Sequence, residues 1–384
     1  MNRVFLITRS NYPFGDANGY RFHTFAQLCE YAGFQPHVLC MGKNKSAVQN
    51  DPYNAITFCD TSSGQLSKMR EYFSFISRCI SELEKYNDVN AVICSTLMFT
   101  GDFRRLQKYC YKRGIVLIYS AVEWYSKEQY TNKFCWEYIK CNLYHERIIP
   151  DGYTRVIAIS KYLQNYYLEH ATRCVYIPAI IDVASNGGRK SLDIENVKII
   201  YAGSPGKKDF IGAVVEAAAS LTRDEINKMV LTIIGITEEQ LISECDVSPS
   251  SIDKLGEHLI AHGRIPREQV IECYESSDFS ILIRPENLRY AKAGFPTKFA
   301  ESLLTGTPVI CNLTSDLGDY CNDGMNSIIV RGESKEEIVI ALRKAIHTSY
   351  AKRIEMCINA RKTAEKYFDY RVFINELKNI VARE

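Results

Sequence analysis

At 384 residues, 46% hydrophobic and 24% charged, the chain is longer than one hydrophobic core usually supports and too ordinary in composition for a disordered or fibrous protein, so two domains are expected. A net charge of +2 gives no basis for a nucleic-acid partner. The charge is uneven, with 21 Lys+Arg against 15 Asp+Glu in residues 1–180 and 26 against 30 in the rest. That asymmetry fits an N-terminal half that meets an anionic membrane surface or acidic acceptor, and equally an ordinary solvated surface.

The apolar run at Val4–Ile7 is too short for a signal peptide, and no run approaches the roughly 20 residues that span a bilayer. It reads as a first β-strand. Strand-like runs then alternate with helix-period stretches: a helix over Tyr20–Tyr31, strand Ala91–Cys94, helix Phe103–Tyr111, strands Ile115–Tyr119 and Arg155–Ile159, helix Tyr162–Leu168. After Pro178 the segment Asp182–Ser191 loses periodicity and gains turn formers, marking a linker. The pattern restarts with strands Lys198–Ala202, Val230–Ile234, Phe279–Ile283, Val309–Cys311 and Ser327–Val330. Helices are expected near Ile211–Ala219, Pro266–Tyr274, Thr297–Leu304 and Glu336–Ile346, with a last one about Arg371–Val381. Apolar strands in βαβα order imply parallel sheets covered by helices on both faces. The chain therefore reads as α/β, two Rossmann-like halves, with ligands expected at the carboxyl ends of strands in a cleft between them.

Fourteen cysteines are scattered through a long chain, several in apolar strands (Cys40, Cys94, Cys311), which favours reduced buried thiols over a disulfide framework. There is no Cys-x-x-Cys pair, the seven histidines are dispersed, and no Asp-x-Asp triplet occurs. No metal or other cofactor is expected.

Four segments carry candidate chemistry. After the first strand, Tyr12–Arg21 places Gly15 and Gly19 in a turn before a helix, where glycine allows close backbone approach and the helix start offers amides; a plain strand-to-helix turn reads as well for Gly15. At the matching point of the second half stands Tyr201-Ala202-Gly203-Ser204-Pro205-Gly206-Lys207-Lys208-Asp209. Arg284–Lys292 is a polar, basic link in which Arg284 and Lys292 are candidates for phosphate or sugar; Glu286 reads equally as a carboxylate with a role there and as part of a solvated loop. The fourth segment is Ala293-Gly294-Phe295-Pro296-Thr297-Lys298-Phe299-Ala300-Glu301-Ser302, closed by Gly306 and Pro308. Lys298 falls in the first helical turn, where the dipole disfavours a cation unless an anion is present, and a bound phosphate would supply one. Glu301, one turn on, is placed to accept hydrogen bonds from two neighbouring hydroxyls, as a ribose offers.

The Gly294–Glu301 segment closely resembles the nucleotide-sugar signature of family 4 (group 1) retaining glycosyltransferases, the class that builds bacterial surface polysaccharides. The resemblance implies the GT-B architecture, with residues 1–183 on the acceptor side, residues 184–367 binding the donor, and a C-terminal helix of about 368–384 packing back on the first half. It implies that Glu301 holds the donor ribose, that backbone amides at the start of the same helix hold the diphosphate, and that Gly294, Phe295, Pro296, Thr297 and Lys298 are donor-binding positions. The glycine loop at Gly15 and Gly19 would face the same phosphates. In the Gly203 loop, Ser204 stands where the family has an arginine, and Lys208, less readily Lys207, takes the position of the lysine that neutralises the leaving diphosphate. His262–Pro266 resembles the loop where main-chain amides of Arg264 and Ile265 hold the base. Position 293, usually a first glutamate, is alanine. The family often has a sugar-contacting histidine near residues 120–125; here none occurs, and Glu123, with Trp124 as a stacking surface, is the candidate. Ser160-Lys161-Tyr162 with Ile177-Pro178 matches a recurring pattern of structural role.

The resemblance thus implies transfer of a sugar, with retention, from a UDP- or GDP-sugar to a hydroxyl of a glycan or lipid-linked glycan. Lys208, Glu123 and Lys292 are the candidate catalytic residues, no metal is required, and the enzyme would be cytoplasmic, with peripheral contact at the inner face of the cell membrane open. A nucleotide-sugar 2-epimerase and a catalytically degenerate nucleotide-binding scaffold are the alternatives.

Overall fold

A computed structural model describes residues 2–41, 45–58, 65–130, 135–185, 190–206 and 208–383, the side chains of 65–70 apart. The chain divides into two units, residues 1–180 with 370–384, and residues 181–369.

The first unit is built on seven strands: β1 Arg3–Thr8, β2 Gln35–Cys40, β3 Ile56–Thr57, β4 Val89–Cys94, β5 Val116–Ala121, β6 Arg155–Ala158 and β7 Cys174–Tyr176. They form one parallel sheet in the order β3-β2-β1-β4-β5-β6-β7. β1 is apolar from Val4 to Ile7 because it is central: Leu6 pairs with Val38 on one side and Ile93 on the other. Phe22, Phe25, Leu28 and Cys29 turn one face of the helix Ala17–Tyr31 into the core beside this strand. Leu377, Ile380 and Val381 of the helix Ile374–Val381 enter the same core. That helix is tied down further, since Asn90 Nδ2 donates to Val381 O (2.9 Å) and Arg155 Nη1 to Ile380 O (2.8 Å).

The Ser160 and Ile177-Pro178 pattern has a physical reason. Ser160 caps the helix Lys161–Glu169 by accepting from Leu163 N (3.3 Å). The buried Arg21 guanidinium donates to Ile177 O (2.8 Å) and Pro178 O (2.5 Å), pinning the chain as it leaves the sheet.

The second unit has six parallel strands: β8 Val197–Ala202, β9 Met229–Ile234, β10 Leu259–His262, β11 Phe279–Leu282, β12 Val309–Cys311 and β13 Ser327–Ile329. Their order is β10-β9-β8-β11-β12-β13. Two α/β units with parallel sheets are what the alternating pattern requires. At the entry to this sheet Lys190 turns inward, its ammonium donating to Tyr274 O (2.7 Å), Ser277 O (2.5 Å) and Thr307 Oγ1 (2.9 Å). A buried ion pair, Arg353 Nη1 to Asp278 Oδ1 at 2.5 Å, holds the helix Tyr350–Tyr367 near β8 and β11, where Asp278 Oδ2 accepts from Lys198 N.

The elements not anticipated from sequence include β3, β7 and β10 and the helices Lys45–Gln49, Gln65–Leu83, Trp136–Leu143, Arg223–Ile226, Glu238–Cys245, Pro249–Leu255, Arg289–Ala293 and Tyr350–Tyr367. No disulfide links the described cysteines. No helix among the described residues is long and apolar enough to cross a membrane.

Candidate functional site

In the second unit β8, β9 and β10 run outward to one side, and β11 then returns to the other side of β8. The loops leaving β8 and β11 therefore diverge, opening a crevice at their carboxyl ends, the position where open parallel sheets bind ligands. Gly203 follows β8 with φ +136°, and a Cβ there would lie 2.2 Å from Lys298 Cε. Gly235 follows β9 with φ +104°, and its Cβ would lie 2.6 Å from Gly203 O. A Cβ at 235 would strike backbone, whereas the space that glycine leaves at 203 is filled by the flexible end of the Lys298 side chain, which a Cβ would displace.

The helix Thr297–Leu304 starts at this crevice with Pro296 at its N-cap and no side-chain cap, so its first amides are available to an anion. Phe299, Ala300, Leu303 and Leu304 bury its apolar face, and Phe295 fixes its entry by packing on Phe299, Tyr320 and Phe368. Phe295 is thus an anchor rather than a surface for the donor, while Gly294 gives its carbonyl to Arg284 Nη1 (3.1 Å). Pro296 and Thr297 remain half-buried at the helix mouth.

The anion that Lys298 requires is already in the protein. Its ammonium pairs with the Asp209 carboxylate and donates to Tyr201 Oη (2.7 Å), which itself donates to Asp209 Oδ2 (2.7 Å). Arg284 Nε approaches Asp209 Oδ1 at 3.7 Å. Burial, with the Asp209 carboxylate next, holds the Tyr201 phenol well above its usual range, so it serves as a donor. Two cations around one carboxylate leave a net positive charge, and Lys298 keeps 22% of its side-chain surface open. Arg284 is buried, its guanidinium directed to Gly294 O and Asp209; the expectation of a direct phosphate or sugar contact gives way to a role in tying three segments together.

Glu301 is paired as well, its Oε1 accepting from Arg267 Nη1 at 2.7 Å. A ribose at this carboxylate would share it with a guanidinium. Arg264 is exposed on the same loop, and Ile265 packs against Ile200, Ala202, Ile234 and Tyr274. Ser204 is exposed and Lys208 half-buried, with Lys208 O accepting from Tyr290 Oη (3.3 Å). Lys207 lies outside the described residues. Lys292 is exposed on the short helix Arg289–Ala293, and Ala293 is fully buried, so no carboxylate could sit there without desolvation. Glu286 accepts from Asn312 Nδ2 (3.4 Å) at the end of β11.

The first unit corrects three expectations. Gly15 and Gly19 make room for the protein's own backbone: a Cβ would lie 2.8 and 2.7 Å from Asn11 O, respectively. The amide of Gly19 is already taken by Asp16 Oδ1 (2.7 Å), so the start of this helix carries a carboxylate where a donor phosphate was expected. Trp124 is buried, stacked on His145 at 4.6 Å, its indole N–H donating to Asn142 Oδ1 (2.8 Å); it is not a surface for a sugar. Glu123 stands half-buried at the carboxyl end of β5, and its carbonyl lies 2.9 Å from His145 Nε2. A histidine thus does reach this strand end, from 22 residues further along the chain, though fully buried with Nδ1 on Tyr167 Oη (2.6 Å).

Asp209, Tyr201, Arg267 and His145 were missed by sequence reasoning. Only Asp209 left a signal there, as the one acidic residue closing the basic glycine loop.

Residues 189–366 match the family Glycosyl transferases group 1. Over these residues the chain is similar to group 1 glycosyl transferases. The whole chain is also similar to solved structures. Anabaena HepE in complex with UDP-glucose superposes with a TM-score of 0.65 at 14% identity, covering 99% of this chain and 100% of that one. WaaG, a glycosyltransferase involved in lipopolysaccharide biosynthesis, does so with 0.67 at 17%, covering 99% and 100%. These likenesses establish the GT-B fold. An uncharacterized glycosyltransferase of Methanocaldococcus jannaschii is 22% identical over 59% of this chain; the match spans 58% of that relative's length. The crevice at Gly203, with Lys298 and Glu301, lies inside the residues that this family matches.

Proposed function

We propose that the protein is a retaining glycosyltransferase that moves a sugar from a UDP- or GDP-sugar to a hydroxyl of a glycan or lipid-linked glycan in surface-polysaccharide synthesis. The observation that carries this reading is the uncapped start of the helix Thr297–Leu304, with the Lys298 ammonium beside it, at the switch point of a sheet that the group 1 family matches. HepE's complex with UDP-glucose supports the donor class, and WaaG's part in lipopolysaccharide biosynthesis supports the acceptor class. No metal is needed in this scheme. Departure of the nucleoside diphosphate concentrates charge on its outer phosphate, where helix amides, Lys298 and Lys208 stabilise the transition state more than the ground state. The departing phosphate accepts the acceptor's proton on the same face, so no protein nucleophile is required. Lys292 and Glu123 are proposed to meet the phosphate and a sugar hydroxyl, and the cytoplasm, with peripheral membrane contact, is the proposed location.

Calorimetry with UDP and GDP tests the site, and product analysis with the bound nucleotide's sugars tests the reaction. Lys208→Ala should cut turnover steeply with the fold intact, and Glu301→Ala should chiefly weaken nucleotide binding. Near-wild-type values in both variants would remove the assignment.

A further inference from the structure

The loop after β1, the helix Ala17–Tyr31 and the segment after β2 bring together Tyr12, Phe14, His23, Asp51 and Tyr53, none of which the donor chemistry uses. Tyr12 Oη donates to Asp51 Oδ1 (2.8 Å), and Tyr53 N donates to Asp51 Oδ2 (3.0 Å), fixing a carboxylate that is almost wholly buried. The single phenolic proton of Tyr12 is thereby committed. Its oxygen can only accept from His23 Nδ1, 3.2 Å away, and Asp51 Oδ1, 3.3 Å from the same nitrogen, also requires a donor. The neutral ring is thus held as the Nδ1–H tautomer, and Nε2 is left as a hydrogen-bond acceptor with no partner among the described residues. Tyr53 and Phe14 meet the imidazole edge-on, at 5.4 and 4.9 Å between ring centres. Loop packing accounts for the buried Tyr12, but not for Phe14, which stays 53% exposed at the rim.

A fixed acceptor nitrogen beside an exposed aromatic ring selects a ligand with a hydroxyl donor next to a flat patch of C–H groups. We infer that His23 and Phe14 form a subsite for a pyranose, with a sugar hydroxyl donating to His23 Nε2 and the C–H face lying on the Phe14 ring. This rests on the transferase reading for its purpose, the sugar being that of the acceptor. The donor's own sugar has the same chemistry, and the experiment separates the two sources.

The test is NMR of the imidazole signals of the full chain, with the His23 signal assigned among seven histidines by His23→Gln. The chain is titrated with methyl β-glucopyranoside, methyl β-galactopyranoside, methyl α-mannopyranoside, UDP and UDP-glucose. Saturable movement of the His23 signal with a methyl glycoside, none with UDP, and about tenfold weaker response in Phe14→Ala are expected. Movement with UDP-glucose alone keeps the pyranose subsite but overturns its assignment to the acceptor. A stationary His23 signal with every sugar, or an equal response in Phe14→Ala, overturns the subsite itself. Calorimetry with UDP on the same sample decides the parent reading separately: lack of UDP binding removes the transferase, while the His23 signal still decides the subsite.

Discussion

The ammonium of Lys298 and the carboxylate of Asp209 form an ion pair across 89 residues of sequence, sharing the Tyr201 hydroxyl. The pair joins the loop after β8 to the start of the helix Thr297–Leu304, and Arg284 adds the loop after β11 through the same carboxylate. The three segments that meet at the proposed anion site are therefore organised by a single acidic residue. Its charge also removes the conflict between a lysine and the positive end of a helix dipole.

Replacing that carboxylate should be costly. In Asp209→Asn, Lys298 and Arg284 face each other across a neutral amide, and Tyr201 loses a charged acceptor. A fully buried pair broken on one side costs about 3–5 kcal/mol; because Lys298 can reach water, about 2 kcal/mol is expected here. Urea unfolding checks this, and the double variant Asp209→Asn/Lys298→Met should recover part of the loss. Additive losses would show that the two side chains are not coupled.

Gly203 and Gly206 separate steric from conformational effects. Both have positive φ, but a Cβ at 203 strikes Lys298 whereas a Cβ at 206 meets nothing within 4 Å. Gly206→Ala should cost only about 1–2 kcal/mol of backbone strain. Gly203→Ala adds displacement of Lys298 and, under the proposed function, should weaken UDP binding about tenfold or more through loss of a charge-assisted contact. Calorimetry that finds equal UDP affinity in the two variants would remove Lys298 from the phosphate site.

The sheets were legible because their central strands are buried on both faces and read as continuous apolar runs, as β1, β4 and β8 do. β3 and β7 were missed because two or three residues carry no period, and β10 because this edge strand alternates with exposed positions such as Ile260. The helix Thr297–Leu304 was legible from its glycine and proline ends. What the sequence hid is pairing over distance. Nothing local in Asp209, Arg267 or His145 identifies the partner that lies 89, 34 or 22 positions away, respectively. Gly19 misled for a related reason: glycine signals close approach, but not whether a ligand or Asn11 approaches.

His145 offers a test of structure without chemistry. Both ring nitrogens are engaged, by Glu123 O and Tyr167 Oη, and Trp124 covers one face. His145→Ala should remove the partner of Tyr167 Oη, leave Glu123 O with the weaker Cys141 Sγ donor, and open a cavity beside Trp124, costing about 3 kcal/mol. Thermal unfolding should register that loss while UDP affinity stays at the wild-type value. A large fall in UDP affinity at full stability would instead place His145 in the binding machinery.

Lys190 gives a pH dependence whose sign is fixed by burial. Desolvation lowers its ammonium to about 8 from an ordinary 10.5, outweighing the nearby Cys357, Asp278 and Glu275. Between these values the folded chain has released the proton that the unfolded chain still holds. The unfolded state therefore binds more protons, and this residue's contribution to stability rises with pH from about 8 to 10.5. The full change is about 3 kcal/mol. Buried thiols and phenols act in the opposite sense: their proton affinity is raised by folding, as with Cys357 at about 11, so they favour the unfolded chain above their ordinary range. The Lys190 term must accordingly be read as a difference. Unfolding free energies of wild type and Lys190→Met, measured across pH 7 to 10.5, should show the wild type gaining on the variant as pH rises. A constant gap would mean that the three acceptors, Tyr274 O, Ser277 O and Thr307 Oγ1, keep the ammonium charged throughout.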